Sequence, residues 1–140
     1  MSIEENKALA GRWLDEVWNK VNLAAVDELC TTNFTFSYAA PGVSNDREGY
    51  KQTVIMLTSG VSDLKVTLED MVAEGDKVAF RWKGSSKHTG EFMGMPPTGK
   101  QLAMTGISII RIEGGKIVEE WGEMDMMGLM QQLGAFPAPG

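Results

Sequence analysis

Apolar positions recur with a helical period in the first half of the chain and alternate in the second half. Leu9, Trp13 and Val17 fall at i, i+4 and i+8, so residues 3–19 predict an amphipathic helix. Ser2 with Glu5 three residues on has the form of a capping box at its start. Asn22 is placed to cap a short second helix from Leu23 to Cys30. The β-branched and aromatic stretch from Asn33 to Tyr38 predicts a short strand. Turn signals at Pro41-Gly42 and Ser44-Asn45 follow, and Asp46 caps a third helix over about 47–59 that Gly60 ends.

Beyond residue 60 the period changes. Residues 63–73 place Leu64, Val66 and Leu68 on one strand face, and Glu74-Gly75-Asp76 makes a tight turn. Residues 77–89 alternate again, with Val78, Phe80 and Trp82 on one side and Lys77, Arg81 and Lys83 on the other. Strands over 100–112 and 116–125 are joined by the two-residue turn Gly114-Gly115, and 126–133 predict a short helix. Helices first and an antiparallel meander afterwards predict an α+β fold with helices packed on one face of a sheet. A strongly curved sheet wrapped around helices leaves a cone open at one end, a natural small-molecule pocket.

Composition narrows the function. A chain of 140 residues predicts one domain, 1–140, large enough to bury a core without disulfides or metal. The net charge of −6 argues against nucleic acid and anionic membrane as partners. No stretch approaches the roughly 20 apolar residues of a membrane span, and the N-terminus lacks the basic and apolar regions of a secretory signal. With Cys30 as the only cysteine, no internal disulfide can form, which fits a cytoplasmic location. Zinc-ligand, phosphate-loop and dinucleotide motifs are all missing, so no cofactor and no metal are expected. The tail 136–140, with Pro137 and Pro139, cannot continue a helix and is expected to lie along the surface or across a partner.

Two residues are candidates for chemistry. Asp125 ends the last strand and is followed by Met126, Met127, Leu129 and Met130. A carboxylate in apolar surroundings has its charged form destabilised and becomes a useful general base next to a carbonyl. Asp125 also sits where it would cap the last helix. Strand parity puts Glu119, Trp121 and Glu123 on its face, unless a bulge near Gly122 resets the facing. His88, the only histidine, lies on the phase of Val78, Phe80 and Trp82. It could hold a carbonyl or pass a proton, or it could fasten the Gly94–Gly99 loop. Tyr38, Phe80, Trp82, Phe92, Thr105 (or Met104) and Trp121 are candidates for an aromatic substrate pocket, and each could equally be plain core.

The run His88-Thr89-Gly90-Glu91-Phe92-Met93-Gly94-Met95-Pro96-Pro97-Thr98-Gly99, then Trp121-Gly122-Glu123-Met124-Asp125 and Gln132-Leu133-Gly134, resembles the SnoaL-like polyketide cyclase (ester cyclase) family of the NTF2-like superfamily. The front half, with Glu16-Val17-Trp18-Asn19 and Arg47-Glu48-Gly49, is similar as well. The resemblance implies an NTF2-like cone and a cofactor-independent cyclase. In it, Asp125 would remove a proton next to a carbonyl during an intramolecular aldol cyclisation. Donors such as His88 or Tyr38 would hold the enolate oxygen of an apolar or polycyclic keto substrate. It also implies a homodimer paired through the outer sheet face, where Met71, Ala79 and Arg81 are expected. Many members of the family carry an Asp-His pair near residue 36, and here the chain reads Phe36-Ser37-Tyr38; a polar or His residue near 110 is here Ile110. An isomerase or a limonene-epoxide-type hydrolase on the same fold, or a non-catalytic ligand-binding protein, are the alternatives.

Overall fold

The computed structural model describes residues 2–135, so the tail at 136–140 lies outside the described residues. Its elements run α1 (Ile3–Trp13), a π-helical segment (Leu14–Asn19), α2 (Ala24–Leu29), β1 (Cys30–Phe36), α3 (Arg47–Thr58), β2 (Val61–Glu74), β3 (Lys77–His88), β4 (Gln101–Glu113), β5 (Lys116–Met124) and α4 (Met126–Gln132). The capping chemistry read from the sequence sets two helix starts. Ser2 Oγ accepts from the Glu5 N–H at 3.1 Å, and Asp46 Oδ1 accepts from the Gly49 N–H at 3.0 Å. Asn22 makes no side-chain cap on α2; its amide bonds to Glu16 instead.

One five-stranded sheet has the order β1-β5-β4-β3-β2. β2 to β5 form the expected antiparallel meander, closed at Gly114-Gly115 with both φ angles positive. β1 adds to the far edge parallel to β5. The sheet therefore carries the N-terminal strand beside the C-terminal one, and the fold is α+β with a mixed sheet. The helices cover the inner face. Trp13, Val17, Val26, Phe34, Tyr50, Val78 and Ile110 meet in the main core, and Phe92, Leu102, Leu129 and Leu133 form a smaller one under the 89–100 loop.

Two bulges decide which side chains face inward. Glu69 is extra between Leu68 and Asp70, so Met71 packs on the core rather than on the outer face expected for it. Val118 is extra between the Arg111–Glu119 and Ile112–Ile117 pairs. From Glu119 to Met124 the pairing with β4 is regular, so the bulge expected near Gly122 lies four residues earlier. It turns Glu120, Gly122 and Met124 toward the helices and Glu119, Trp121 and Glu123 outward.

Close approach explains one inner glycine. A Cβ at Gly106 would sit 2.3 Å and 2.5 Å from atoms of the Trp82 ring, which lies across the strand there. Gly106→Ala is expected to destabilise by about 1–3 kcal/mol, the usual cost of overpacking, as read from urea unfolding curves. A change of a few tenths of a kcal/mol would mean that Trp82 moves aside freely.

Candidate functional site

The inner face of the sheet and the helices enclose a cavity of about 80 Å³. One water occupies roughly 10–15 Å³ on this measure, so there is room for several waters or a small ring. Its walls are mostly apolar: Trp13 and Trp18 from the N-terminal helical run, Phe80 and Trp82 from β3, Phe92 from the loop and Leu129 from α4. The polar groups are few. Glu120, Tyr38, Ser86, Ser108 and the outward-leaning Glu123 border it, and no Lys, Arg or His does.

Glu120 is the only buried carboxylate among the described residues, at 2% exposure. The Trp13 indole N–H donates to its Oε2 at 2.7 Å. The Tyr50 hydroxyl donates to its Oε1 at 3.2 Å, and the Tyr38 hydroxyl makes a short contact with the same oxygen. The two tyrosine hydroxyls lie 3.0 Å apart, and the Trp18 indole N–H donates to the Tyr50 oxygen at 3.0 Å. Four elements thus converge on one carboxyl group: α1, the residues after β1, α3 and β5. Tyr38 reaches it because its ring lies over Gly122, where a Cβ would come within 2.9 Å.

Burial raises the Glu120 pKa above the ordinary 4.5, and the hydrogen bonds from Tyr38, Trp13 and Tyr50 oppose the rise without cancelling it. Burial, and then the Glu120 charge, push both tyrosines well above the ordinary phenol range. Burial likewise pushes the Cys30 thiol up, which keeps it protonated and unreactive.

The residues singled out from sequence fall in three places. Tyr38, Phe80, Trp82, Phe92 and Met104 border the cavity. Thr105 and Trp121 do not: both lie on the outer sheet face, where Lys77 Nζ stands 5.9 Å over the Trp121 ring. The Val118 bulge accounts for Trp121, and strand parity beside Met104 accounts for Thr105.

Asp125 is exposed rather than set in apolar surroundings. It follows β5 and caps α4, its Oδ1 accepting from the Gly128 N–H at 2.9 Å. It lines an outer hollow with Arg81, Lys83 and Thr105 and does not border the cavity that holds Glu120, although the two share Trp82, Glu123 and Met124 as a common wall.

His88 is fully buried at the end of β3 and does not border the cavity. Its Nδ1 lies 2.9 Å from Thr98 Oγ1 and accepts from the Thr98 N–H at 3.3 Å, while Nε2 is buried without a partner. The backbone of His88 bonds to Gly99 and Lys100 as well. The side chain fastens the loop that carries Phe92, the structural alternative raised by the sequence.

Sequence reasoning missed Glu120, with Tyr50 and Trp18 behind it. The available signal was the set of aromatic residues with polar tips, Trp13, Trp18, Tyr38 and Tyr50, which require a buried hydrogen-bond partner. Among the described residues no group of three or more His, Cys, Asp or Glu side chains is placed to hold a metal ion, and no helix is long and apolar enough to cross a membrane.

Comparison with known proteins gives the same fold repeatedly. The structure of TsrD from Streptomyces laurentii is 30% identical, with a TM-score of 0.86 over 97% of this chain and 99% of that one. A candidate polyketide cyclase from Acidithiobacillus ferrooxidans is 29% identical, with a TM-score of 0.82 over 96% and 99%. IdmH from Streptomyces antibioticus, also a candidate polyketide cyclase, is 31% identical, with a TM-score of 0.77 over 96% and 99%. No curated protein matches. The family model for the SnoaL-like polyketide cyclases matches residues 8–133, nearly the whole described chain, and the protein belongs to that family.

Proposed function

We propose that this protein catalyses cofactor-independent proton transfer next to a carbonyl, of the aldol-cyclisation type, on an apolar or polycyclic keto compound of which only the reacting end enters the cavity. The observation that carries the reading is a single buried carboxyl group, Glu120, at the edge of an otherwise apolar cavity. A carboxyl whose pKa is raised by burial is a stronger base, once ionised, than one in water. Its carboxylate takes the α-proton, and the carbon–hydrogen electron pair becomes the enolate. Tyr38 turns its hydroxyl to the enolate oxygen while Trp13 and Tyr50 continue to hold Glu120. The enolate carbon attacks a second carbonyl of the same molecule, and the resulting alkoxide recovers the proton from Glu120.

A ligand-binding protein without chemistry is the second reading. What favours it is the saturation of Glu120: both oxygens already receive hydrogen bonds, as in a purely structural tie. Phe36 and Ser37 in place of the family's Asp-His pair point the same way. Epoxide hydrolysis with a water held by Asp and Arg draws no support. Arg81 and Arg111 sit on the outer face, paired with Asp70 at 2.9 Å and Glu119 at 3.1 Å.

Exchange of α-protons in deuterated water, followed by mass spectrometry on a panel of β-keto esters and polycyclic ketones, separates these readings. Wild type is expected to exchange, and Glu120→Gln to lose about 100-fold or more of the rate. Asp125→Asn, which keeps a good cap on α4, is expected to retain both rate and stability. Loss in Asp125→Asn with retention in Glu120→Gln would return the base to Asp125. Binding of the ketones without exchange would establish the second reading.

The raised pKa also has a sign in stability. Between the ordinary 4.5 and its higher folded value, Glu120 holds more proton in the folded state than in the unfolded one. Its contribution is therefore fully present below about pH 4.5 and is lost as pH rises through the folded value. Urea unfolding of wild type is expected to weaken relative to Glu120→Gln across that window. Parallel profiles for the two proteins would contradict the raised pKa.

A further inference from the structure

The π-helical segment Leu14–Asn19 buries Leu14 and Val17 in the core and closes through an i→i+5 bond from the Lys20 N–H to the Asp15 carbonyl at 2.9 Å. Its effect is on two tryptophans. Residues five apart on an α-helix point about 140° away from each other. The i→i+5 winding brings them to one side. Trp13 and Trp18 are five apart, and both border the cavity. Both also donate into the same polar group, Trp13 directly to Glu120 and Trp18 to the Tyr50 oxygen that stands behind it.

Something must hold this winding, since a π turn is less favourable than an α turn. Asn19 is the last residue of the segment. Its side-chain amide spans the free edge of β2 like a short strand: Oδ1 accepts from the Val66 N–H at 2.7 Å and Nδ2 donates to the Val66 carbonyl at 3.0 Å. β2 is an edge strand, so Val66 presents both groups outward with no neighbouring strand to take them. Two residues on, Val21 is held at φ +50°, a costly conformation for a β-branched residue. The chain is therefore fixed on both sides of the point where the winding ends.

We propose that Asn19 is a positioning residue: its clamp on Val66 holds the π winding, which places the Trp18 N–H on Tyr50 and so orders the hydrogen bonds around Glu120. The inference rests on the Glu120 reading for its catalytic meaning, but not for its geometry. An N–H given to the Tyr50 oxygen leaves the Tyr50 hydroxyl proton free to point at Glu120, and polarises it toward the carboxylate. Without Trp18 in place, Tyr50 is free to rotate its proton elsewhere, and the ionised form of Glu120 loses support. The titratable neighbours of Glu120 are Tyr38, Tyr50 and Cys30; burial pushes each of them upward, and it raises Glu120 as well.

The test reads the carboxyl directly. The infrared carbonyl band of protonated Glu120, assigned by its absence in Glu120→Gln, is followed against pH in wild type, Asn19→Ala, Trp18→Phe and the double variant. Asn19→Ala and Trp18→Phe are each expected to raise the midpoint by about 0.5–1 pH, the worth of one hydrogen bond. The double variant is expected to match either single one, because both act on the same donor. Asn19→Asp keeps the bond from the Val66 N–H and is expected to fall between wild type and Asn19→Ala. A lowered melting temperature in Asn19→Ala with an unchanged midpoint would overturn the proposal and leave Asn19 a stabilising edge clamp only. So would a midpoint moved by Asn19→Ala and moved again, additively, by Trp18→Phe. If the midpoints shift as expected and no ketone undergoes exchange, the positioning role stands and the catalytic reading falls.

Discussion

A carboxyl group buried away from bulk water has to be met by donors, and the arrangement of this molecule follows from meeting that demand at Glu120. The donors come from α1, from the residues after β1 and from α3, while the acceptor comes from β5. Their geometry sets how closely the helices approach the sheet and where the cavity begins. Leaving the three donors without their acceptor would cost about 1–3 kcal/mol for each buried group. The same cluster that defines the candidate chemistry is thus a main tie between the two layers. A catalytic carboxyl and a structural one are not exclusive here, since the hydrogen bonds that hold the group also tune it.

Family membership fixes the fold and leaves the working residues to be read from this chain. Phe36, near where the resemblance led to the expectation of an Asp-His pair, is buried in the main core beside Tyr50, with ring centroids 5.0 Å apart. Ile110 pairs across the sheet with Glu120. The one buried carboxyl group at the cavity lies on β5, held by tyrosines from the residues after β1 and from α3. A fold of this kind supports different chemistries without changing its outline.

Much of this was legible in the sequence. The period of the apolar residues gave the element types, and the caps at Ser2 and Asp46 gave two helix starts. The loop motif gave the family, and the phase of Val78, Phe80 and Trp82 gave the inner face of β3. The site was less legible because it depends on one extra residue. Val118 shifts the parity of β5, so Glu120 turns inward and Trp121 outward, and nothing in the residues Ile117-Val118-Glu119-Glu120 announces that shift. The parallel pairing of β1 with β5 and the π winding after Trp13 are also tertiary outcomes. Each joins positions too far apart, or too finely balanced locally, for a periodic pattern to reveal.

The place of β1 in the sheet has a consequence for how the chain reaches this structure. β1 finishes at residue 36, but the strand it lies against begins at residue 116. Emerging from a ribosome, the stretch through residue 50 would hold Trp13, Phe34 and Tyr50 without the surface that buries them until about seventy further residues had followed. Contacts of such long separation make assembly slow and leave apolar surface open to wrong partners in the meantime. The antiparallel meander, built from neighbouring hairpins, has no such wait. The last strand of the sheet is therefore the one that admits the first, and residues 116–124 must have emerged before the cavity acquires a floor.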